Sequence, residues 1–156
     1  MFAFCSHRKL FDDNFNHLMK THRERVIMIE PVQDTFDNFP NLPSLFDIGL
    51  APLKESRFND CKSYLKCLEY GAWNVPTICS MSPDYQRFNE ITNGLNVMVK
   101  NDKKEWVKAI SKMIEDETYR KEMGIKVKQI VRNELSLKEV NKMRFQFFMD
   151  LFNGKI

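Results

Sequence analysis

Short apolar blocks separated by polar stretches run through the first two thirds of the chain. Five of these blocks are rich in aromatic or β-branched residues and are bounded by Pro, Gly or charged residues, which predicts strands. They begin at residues 1, 25, 47, 75 and 92 and read MFAFCS, RVIMIEPV, DIGLAPL, VPTICS and TNGLNVMVKN. Helical spacing between them predicts an α/β fold, with a Rossmann-like, mainly parallel sheet of about five strands and helices on both faces.

The remaining third of the chain has the pattern of three consecutive helices. Asp102 with Glu105 and Ser136 with Glu139 have the spacing of capping boxes, in which each side chain bonds the other residue's backbone N–H. We therefore expect helices to begin at these two positions. Gly124 falls inside the helix between them, where glycine costs up to ~1 kcal/mol against alanine.

The last predicted helix, over residues 137–153, is apolar on more than one side. Val140, Met143, Phe147 and Leu151 share one stripe, whereas Phe145, Phe148 and Phe152 lie off it. A helix of this kind needs more than one neighbour. We therefore expect these three rings to be exposed or to cover a contact with another polypeptide or a second copy of the chain.

Composition sets limits on the class of protein. The chain has 156 residues, 43% of them hydrophobic and 29% charged, which suits one ordered domain over residues 1–156. The net charge of +3 favours no nucleic-acid partner. No apolar run reaches the ~20 residues of a transmembrane helix, so we expect a cytoplasmic chain and leave open a peripheral association with a membrane.

Metal and redox chemistry have little support in the sequence. The four cysteines form no CxxC pair, which favours reduced, mostly buried thiols over a zinc site. His7, His17 and His22 stand in charged surroundings, typical of surface residues. We expect no metal.

The stretch FNDCKSYLKCLEYGA, residues 58–72, is the most informative part of the sequence. We expect Asn59 or Asp60 to cap a helix and to leave free backbone N–H groups around Lys62 and Ser63. Free donors at a helix start attract anions, and the Lys62 ammonium adds a positive charge. The competing interpretation is a solvated lysine after a turn.

Glu69 is the candidate for binding hydroxyl groups. It follows Lys62 by seven residues and Lys66 by three, so in one helix all three would share a side. The two oxygens of a carboxylate can accept hydrogen bonds from two adjacent hydroxyls, such as those of a ribose. The alternative is a surface pair between Lys66 and Glu69, and spacing leaves both open.

A further polar group follows the fourth strand. Asp84, Tyr85 and Glu90 lie beyond its carboxyl end, the edge at which such sheets bind ligands. The alternative interpretation is a solvated loop.

Several blocks in order, from DIGLAPL through LEYGAWNVPTICS and NGLNVMVKN to EWVKAISKMIEDETYRKEMG, resemble the C-terminal domain of group 1 glycosyltransferases. The resemblance covers roughly residues 26–135. It implies half of a two-domain GT-B architecture that binds a nucleotide sugar, such as a UDP- or GDP-sugar, without a metal ion. It places Glu69 on the nucleotide ribose. The diphosphate would meet backbone amides of Lys62, Ser63, Tyr64 and Leu65, and the base would meet the turn around Glu30, Pro31 and Val32.

Three departures from the family pattern shape the functional expectation. Cys61 stands where many members carry a glutamate that contacts the sugar, although a subgroup with a KS pair lacks it too. Asn74 replaces a glycine, and asparagine tolerates the left-handed backbone that such a turn needs. The acceptor domain and the first strand–helix unit, with its Arg and Lys, are missing from the pattern.

That missing strand would be central in the order 3-2-1-4-5-6, so its neighbours must pair directly or leave a gap. A split or truncated gene is the other explanation. We therefore expect the nucleotide-sugar-binding domain of a hexosyltransferase-like enzyme, active only if another polypeptide supplies the acceptor site. The alternative is a degenerate, non-catalytic interaction module that keeps the fold.

Overall fold

The computed structural model describes residues 2–5, 16–17, 20–29 and 39–155, with side chains for residues 16–17, 20–27 and 41–155. It forms two compact units, Met1–Leu42 and Pro43–Ile156. In the first unit, strands β1 (Phe2–Cys5) and β2 (Val26–Ile29) pair in parallel, with Phe2 opposite Val26. A 3-10 helix, Phe39–Leu45, spans the boundary.

The second unit contains a three-stranded parallel sheet in the order β3-β4-β5. Its strands are β3 (Gly49–Ala51), β4 (Thr77–Ser80) and β5 (Val97–Val99). Gly49 lies opposite Thr77 and Ile78 opposite Val97. The helices are α1 (Arg57–Asp60), α2 (Leu65–Ala72), α3 (Pro83–Ile91), α4 (Lys103–Glu115), α5 (Glu117–Glu134) and α6 (Leu137–Phe152).

The strands form where the apolar blocks predict them, and the α/β class with parallel pairing is confirmed. The expected single sheet of five strands is wrong. Among the described residues β1 pairs with β2, and β3 pairs with β4, but no ladder joins the two sets.

The core of the second unit forms around the central strand. All four residues of β4 are buried, and helix α2 contacts β3, β4 and α5. The largest buried side chains at this centre are Ile78, Phe88, Met113 and Val127. Cys67 and Cys79 are buried free thiols and Cys61 is an exposed one, so the expected buried thiols are confirmed at two positions.

The predicted helix starts in the C-terminal third are also confirmed. The carboxylate of Asp102 accepts bonds from the backbone N–H groups of Lys104 and Glu105 at 2.9 and 3.2 Å, and it caps α4. The Ser136 hydroxyl accepts from the Glu139 N–H at 3.4 Å and caps α6. None of the helices in the described residues is long and apolar enough to cross a membrane.

A close approach of backbones holds α5 against the turn that follows α2. Asn74 has φ 61°, the left-handed conformation expected where the family has glycine. A Cβ added at Gly124 would overlap the Asn74 carbonyl oxygen and lie 2.7 Å from its carbon. Glycine is therefore needed at position 124 for packing, and this outweighs its lower helix propensity.

Candidate functional site

A ring of hydrogen bonds ties together the carboxyl ends of all three strands in the second unit. The buried Ser80 hydroxyl, at the end of β4, accepts from the Leu53 N–H and donates to the Asn101 side-chain oxygen, both at 2.8 Å. The Asn101 amide donates to the Leu53 carbonyl at 2.8 Å. The ring fixes the segments after β3 and β5 at the edge where parallel sheets bind ligands. Sequence reasoning missed this ring, although both side chains are polar groups at strand ends.

The helix that carries Glu69 begins later than predicted. Asn59 and Asp60 do not cap it, because they belong to α1, whose cap is the Ser56 hydroxyl at 3.2 Å from the Asn59 nitrogen. Residues 61–63 interrupt the helix, and α2 begins after Tyr64. The N–H of Tyr64 is bonded to a side chain distant in sequence, which explains why local spacing failed to find this break.

A carboxylate already sits at the start of α2. Asp84 Oδ2 accepts the Tyr64 N–H at 2.7 Å, and Tyr64 has no side-chain cap of its own. Asp84 also lies in the first turn of α3, whose cap is Ser82. One negative charge therefore faces the positive ends of two helix dipoles. An internal carboxylate therefore contacts the start of this helix, near the position where an anion was predicted to bind.

Glu69 lies one turn inside α2 and forms an ion pair. Its Oε2 is 2.8 Å from Lys66 Nζ, and 26% of the Glu69 side chain is exposed. The surface-pair interpretation is thus the arrangement the structure shows. An exposed pair of this kind contributes about 0.2–1 kcal/mol, so a ligand with stronger hydrogen bonds can replace it.

The other predicted contacts of the diphosphate are exposed, but only Leu65 belongs to helix α2, whereas Lys62 and Ser63 precede it. Lys62, Ser63 and Leu65 are exposed. Lys62 Nζ lies over the Phe58 ring, 5.2 Å from its centroid, a cation–π contact that keeps the ammonium near the surface. Because residues 61–63 are not helical, Lys62 does not share a helix face with Glu69 and Lys66.

The polar residues after β4 are on a helix and not in a loop. Asp84, Tyr85 and Glu90 all belong to α3, and Tyr85 is 3% exposed. Burial raises the pKa of the Tyr85 hydroxyl, and nearby groups, including Cys67, Cys79 and Glu69, raise it further. The pKa of Cys67 is raised by its hydrogen bond with Cys79 and by burial. Both groups stay neutral, which suits a structural role.

Some predicted site residues lie outside the part of the chain that the structure describes. Glu30, Pro31 and Val32, assigned to the nucleotide base, are not among the described residues. Within the described residues, no three His, Cys, Asp or Glu side chains lie together in a way that could hold a metal ion. The arrangement that remains is a helix start with a carboxylate on it, and an accessible glutamate one turn later.

The class that the second unit defines is an α/β unit with a three-stranded parallel sheet and a polar carboxyl edge. Comparison with family models, with curated proteins and with solved structures found no match to this chain.

Proposed function

We propose that this chain is a Rossmann-like nucleotide-sugar-binding domain of a glycosyltransferase that receives its acceptor site from another polypeptide. The sequence resemblance supports this proposal, as does one structural observation. Helix α2, which carries Glu69, begins beside the carboxyl ends of the sheet, because the Tyr64 N–H bonds to Asp84 just after β4. In this arrangement the nucleotide binds at the edge where α/β sheets take their ligands.

Glu69 would hold the ribose. Its carboxylate accepts from both vicinal hydroxyls, and Lys66 is released from the pair or keeps one shared oxygen. Hydrogen bonds to a charged acceptor contribute about 1.5–3 kcal/mol each, more than an exposed ion pair of about 0.2–1 kcal/mol. Replacing the Lys66 ion pair by hydrogen bonds from a diol is therefore expected to lower the free energy.

The diphosphate would bind at the start of α2, where backbone N–H groups and Lys62 favour negative charge. Asp84 opposes it, because its carboxylate occupies the Tyr64 N–H. Nucleotide binding at this helix then requires the Asp84 side chain to turn away or the phosphates to approach further along the first turn. We expect weak binding, and little sugar transfer by this chain alone.

A non-catalytic interaction module is the second candidate. Two observations favour it: Glu69 and the start of α2 both have partners within the chain, Lys66 and Asp84. A domain whose site charges are satisfied internally keeps its fold without a ligand. The exposed rings of α6 would then form the surface that contacts a partner.

Thermal unfolding in the presence of UDP, GDP and their sugars separates the two candidates. Ligand at 100 times its dissociation constant stabilises a folded protein by about 2.7 kcal/mol. For a chain of this size that corresponds to a rise in Tm of roughly 5–10 °C. We expect such a rise for at least one nucleotide and a much smaller one for Glu69→Gln, which removes the charge and one acceptor oxygen.

Two controls sharpen this experiment. Glu122→Gln removes an equivalent glutamate from a surface pair with Lys126 on α5, and it should leave the nucleotide-induced rise unchanged. Inorganic diphosphate tests the helix start alone, and Glu69→Gln should bind it as the wild type does. If no nucleotide raises the Tm, or Glu69→Gln responds like the wild type, the donor-binding proposal is wrong and the interaction module is favoured.

A further inference from the structure

The segment 100–112, which follows β5 and covers most of α4, carries the whole net charge of the chain. It contains five lysines and two acidic residues, a net charge of +3, and the net charge of the full sequence is also +3. Acidic and basic residues therefore balance over the rest of the chain. The five lysines are all exposed, and they are Lys100, Lys103, Lys104, Lys108 and Lys112. A cluster of about four to eight basic residues on an amphipathic helix is typical of a surface that binds anionic lipid.

The two acidic residues of this segment are bonded to backbone groups and not to the lysine side chains. The carboxylate of Asp102 accepts the backbone N–H groups of Lys104 and Glu105, which is how it caps α4. The carboxylate of Glu105 accepts the backbone N–H of Lys100 at 2.8 Å. The ammonium groups of the segment therefore keep their charge for an external partner.

Lysines of the next two helices are arranged differently. Lys121 and Lys126 on α5 and Lys142 on α6 each form an ion pair with a glutamate one turn earlier in the same helix. Within the described residues, none of the five lysines of the segment 100–112 forms an ion pair. Glu115 and Asp116 follow at the end of α4, so the basic surface lies toward the start and the middle of this helix.

Three of the lysines form a row along α4. Lys104, Lys108 and Lys112 follow one another at intervals of four residues, so they lie on one side of the helix over about 12 Å. The opposite side of α4 packs against the core through Met113, which is fully buried, and through Trp106. The lysine row therefore points away from the core.

Two exposed aliphatic side chains lie beside the lysine row. Val107 and Ile114 are seven residues apart and so share a side of α4, and each is 56% exposed. On the helix they lie between the core face and the lysine row. A helix that lies on a bilayer has this combination, with apolar side chains at the boundary of the acyl chains and lysines on the polar side.

We propose that the exposed side of α4 docks this chain on a membrane surface that contains anionic phospholipids. The row of Lys104, Lys108 and Lys112 meets the lipid phosphates, and Val107 and Ile114 enter the boundary between headgroups and acyl chains. Each lysine near an anionic bilayer increases binding about fivefold, which corresponds to about 1 kcal/mol. The proposal is independent of nucleotide binding.

A nucleic acid is a poorer match for this surface. Its phosphates would also attract the lysine row, because that attraction is electrostatic and independent of sequence. The aliphatic side chains of Val107 and Ile114 gain little from a phosphate backbone, whereas at a bilayer surface they leave water. The aliphatic pair beside the lysines therefore favours the lipid surface.

Co-sedimentation of the full chain with phosphatidylglycerol vesicles tests this proposal. We expect binding at low ionic strength that weakens as sodium chloride is added, and little binding to phosphatidylcholine vesicles. The combined variant Lys104→Gln, Lys108→Gln and Lys112→Gln should bind roughly a hundredfold more weakly, because three fivefold losses multiply. Val107→Ser together with Ile114→Ser should weaken vesicle binding severalfold, a loss that a purely electrostatic contact would not show.

The matched control removes the same charge from other parts of the surface. Lys121→Gln, Lys126→Gln and Lys142→Gln together change three exposed lysines of α5 and α6, so both triple variants have the same net charge. The control should bind the vesicles much more tightly than the α4 triple variant. Circular dichroism melting shows whether each variant is folded.

Four results would overturn the proposal. The wild type fails to bind phosphatidylglycerol vesicles at low ionic strength, or the two triple variants lose binding equally, which shows an effect of net charge alone. Binding that disappears in Phe148→Ser with Phe152→Ser, yet survives in the α4 triple variant, shows that α6 contacts the bilayer instead. A DNA duplex that binds as tightly as the vesicles, with no effect of Val107→Ser and Ile114→Ser on either ligand, shows a nucleic-acid surface.

Discussion

Replacing Gly124 by alanine has two opposing effects on stability, a gain in helix propensity and a loss from overpacking. Gly124 lies in the middle of α5, where alanine is favoured by about 0.8–1.0 kcal/mol in an isolated helix. Helix propensity alone therefore predicts that Gly124→Ala stabilises the protein. The glycine is buried against the left-handed turn at Asn74, however, and the new methyl group has no space.

The structure indicates that the packing cost exceeds the gain. The added Cβ would overlap the Asn74 carbonyl oxygen and lie 2.7 Å from its carbon and 3.3 Å from Pro76 Cδ. Two of these contacts are backbone atoms, which cannot rotate away as a side chain would, so α5 or the turn must move. Overpacking costs about 1–3 kcal/mol and sometimes more. We expect a net loss of about 2 kcal/mol, or roughly 4–8 °C in Tm for this chain length.

Urea unfolding followed by circular dichroism measures this difference directly. Asn133→Ala is the matched control, because it improves helix propensity at an exposed position of the same helix. It should stabilise the protein by a few tenths of a kcal/mol. If Gly124→Ala stabilises the protein as Asn133→Ala does, the close packing of α5 on the Asn74 turn is wrong.

Three further changes test individual features of the second unit. Asp84→Asn should lower the free energy of unfolding by about 1 kcal/mol, because it removes a negative charge from two helix starts. The same change should strengthen diphosphate binding in a calorimetric titration, and weaker binding would contradict the proposal that the Asp84 carboxylate opposes the diphosphate. Asn96→Leu should raise stability by about 1 kcal/mol in urea, because the buried side-chain amide of Asn96 has no hydrogen-bond partner among the described residues. A loss of stability would indicate that the amide is satisfied. Stability should fall above about pH 9, since Cys67 and Tyr85 ionise at ordinary pKa values of 9.0 and 10.0 when unfolded, whereas their folded pKa values are raised. Tyr85→Phe should flatten this fall above pH 10, and an unchanged slope would refute the assignment.

The strands and the C-terminal helices could be predicted because their signals are local. The apolar run of β4 and the capping residues Asp102 and Ser136 need only their sequence neighbours to specify the element. The pairing of strands is not local. Nothing in the runs of β1 and β3 indicates that they belong to separate ladders, because pairing depends on which edges meet in space.

The candidate site was partly predictable for the same reason. Spacing identified the possible Lys66–Glu69 pair, which lies within one helical turn. It misplaced the start of α2, because the contact between the Tyr64 N–H and Asp84 joins residues twenty positions apart. The Ser80–Asn101 bond spans twenty-one positions and was missed on the same ground. Asp84 is thus the residue that most changes the expected anion site, and its sequence neighbours do not indicate that it bonds to the Tyr64 N–H.

The central claim is that a nucleoside diphosphate binds along α2, with its phosphates at the helix start and its ribose on Glu69. Titration of ¹⁵N-labelled protein with UDP and GDP, followed by amide chemical shifts, locates binding residue by residue. We predict the largest shifts at Ser63, Tyr64 and Leu65, with a second group around Glu69 that disappears in Glu69→Gln. Amides of α2 that remain unmoved at millimolar nucleotide, or shifts confined to α6, would contradict the claim.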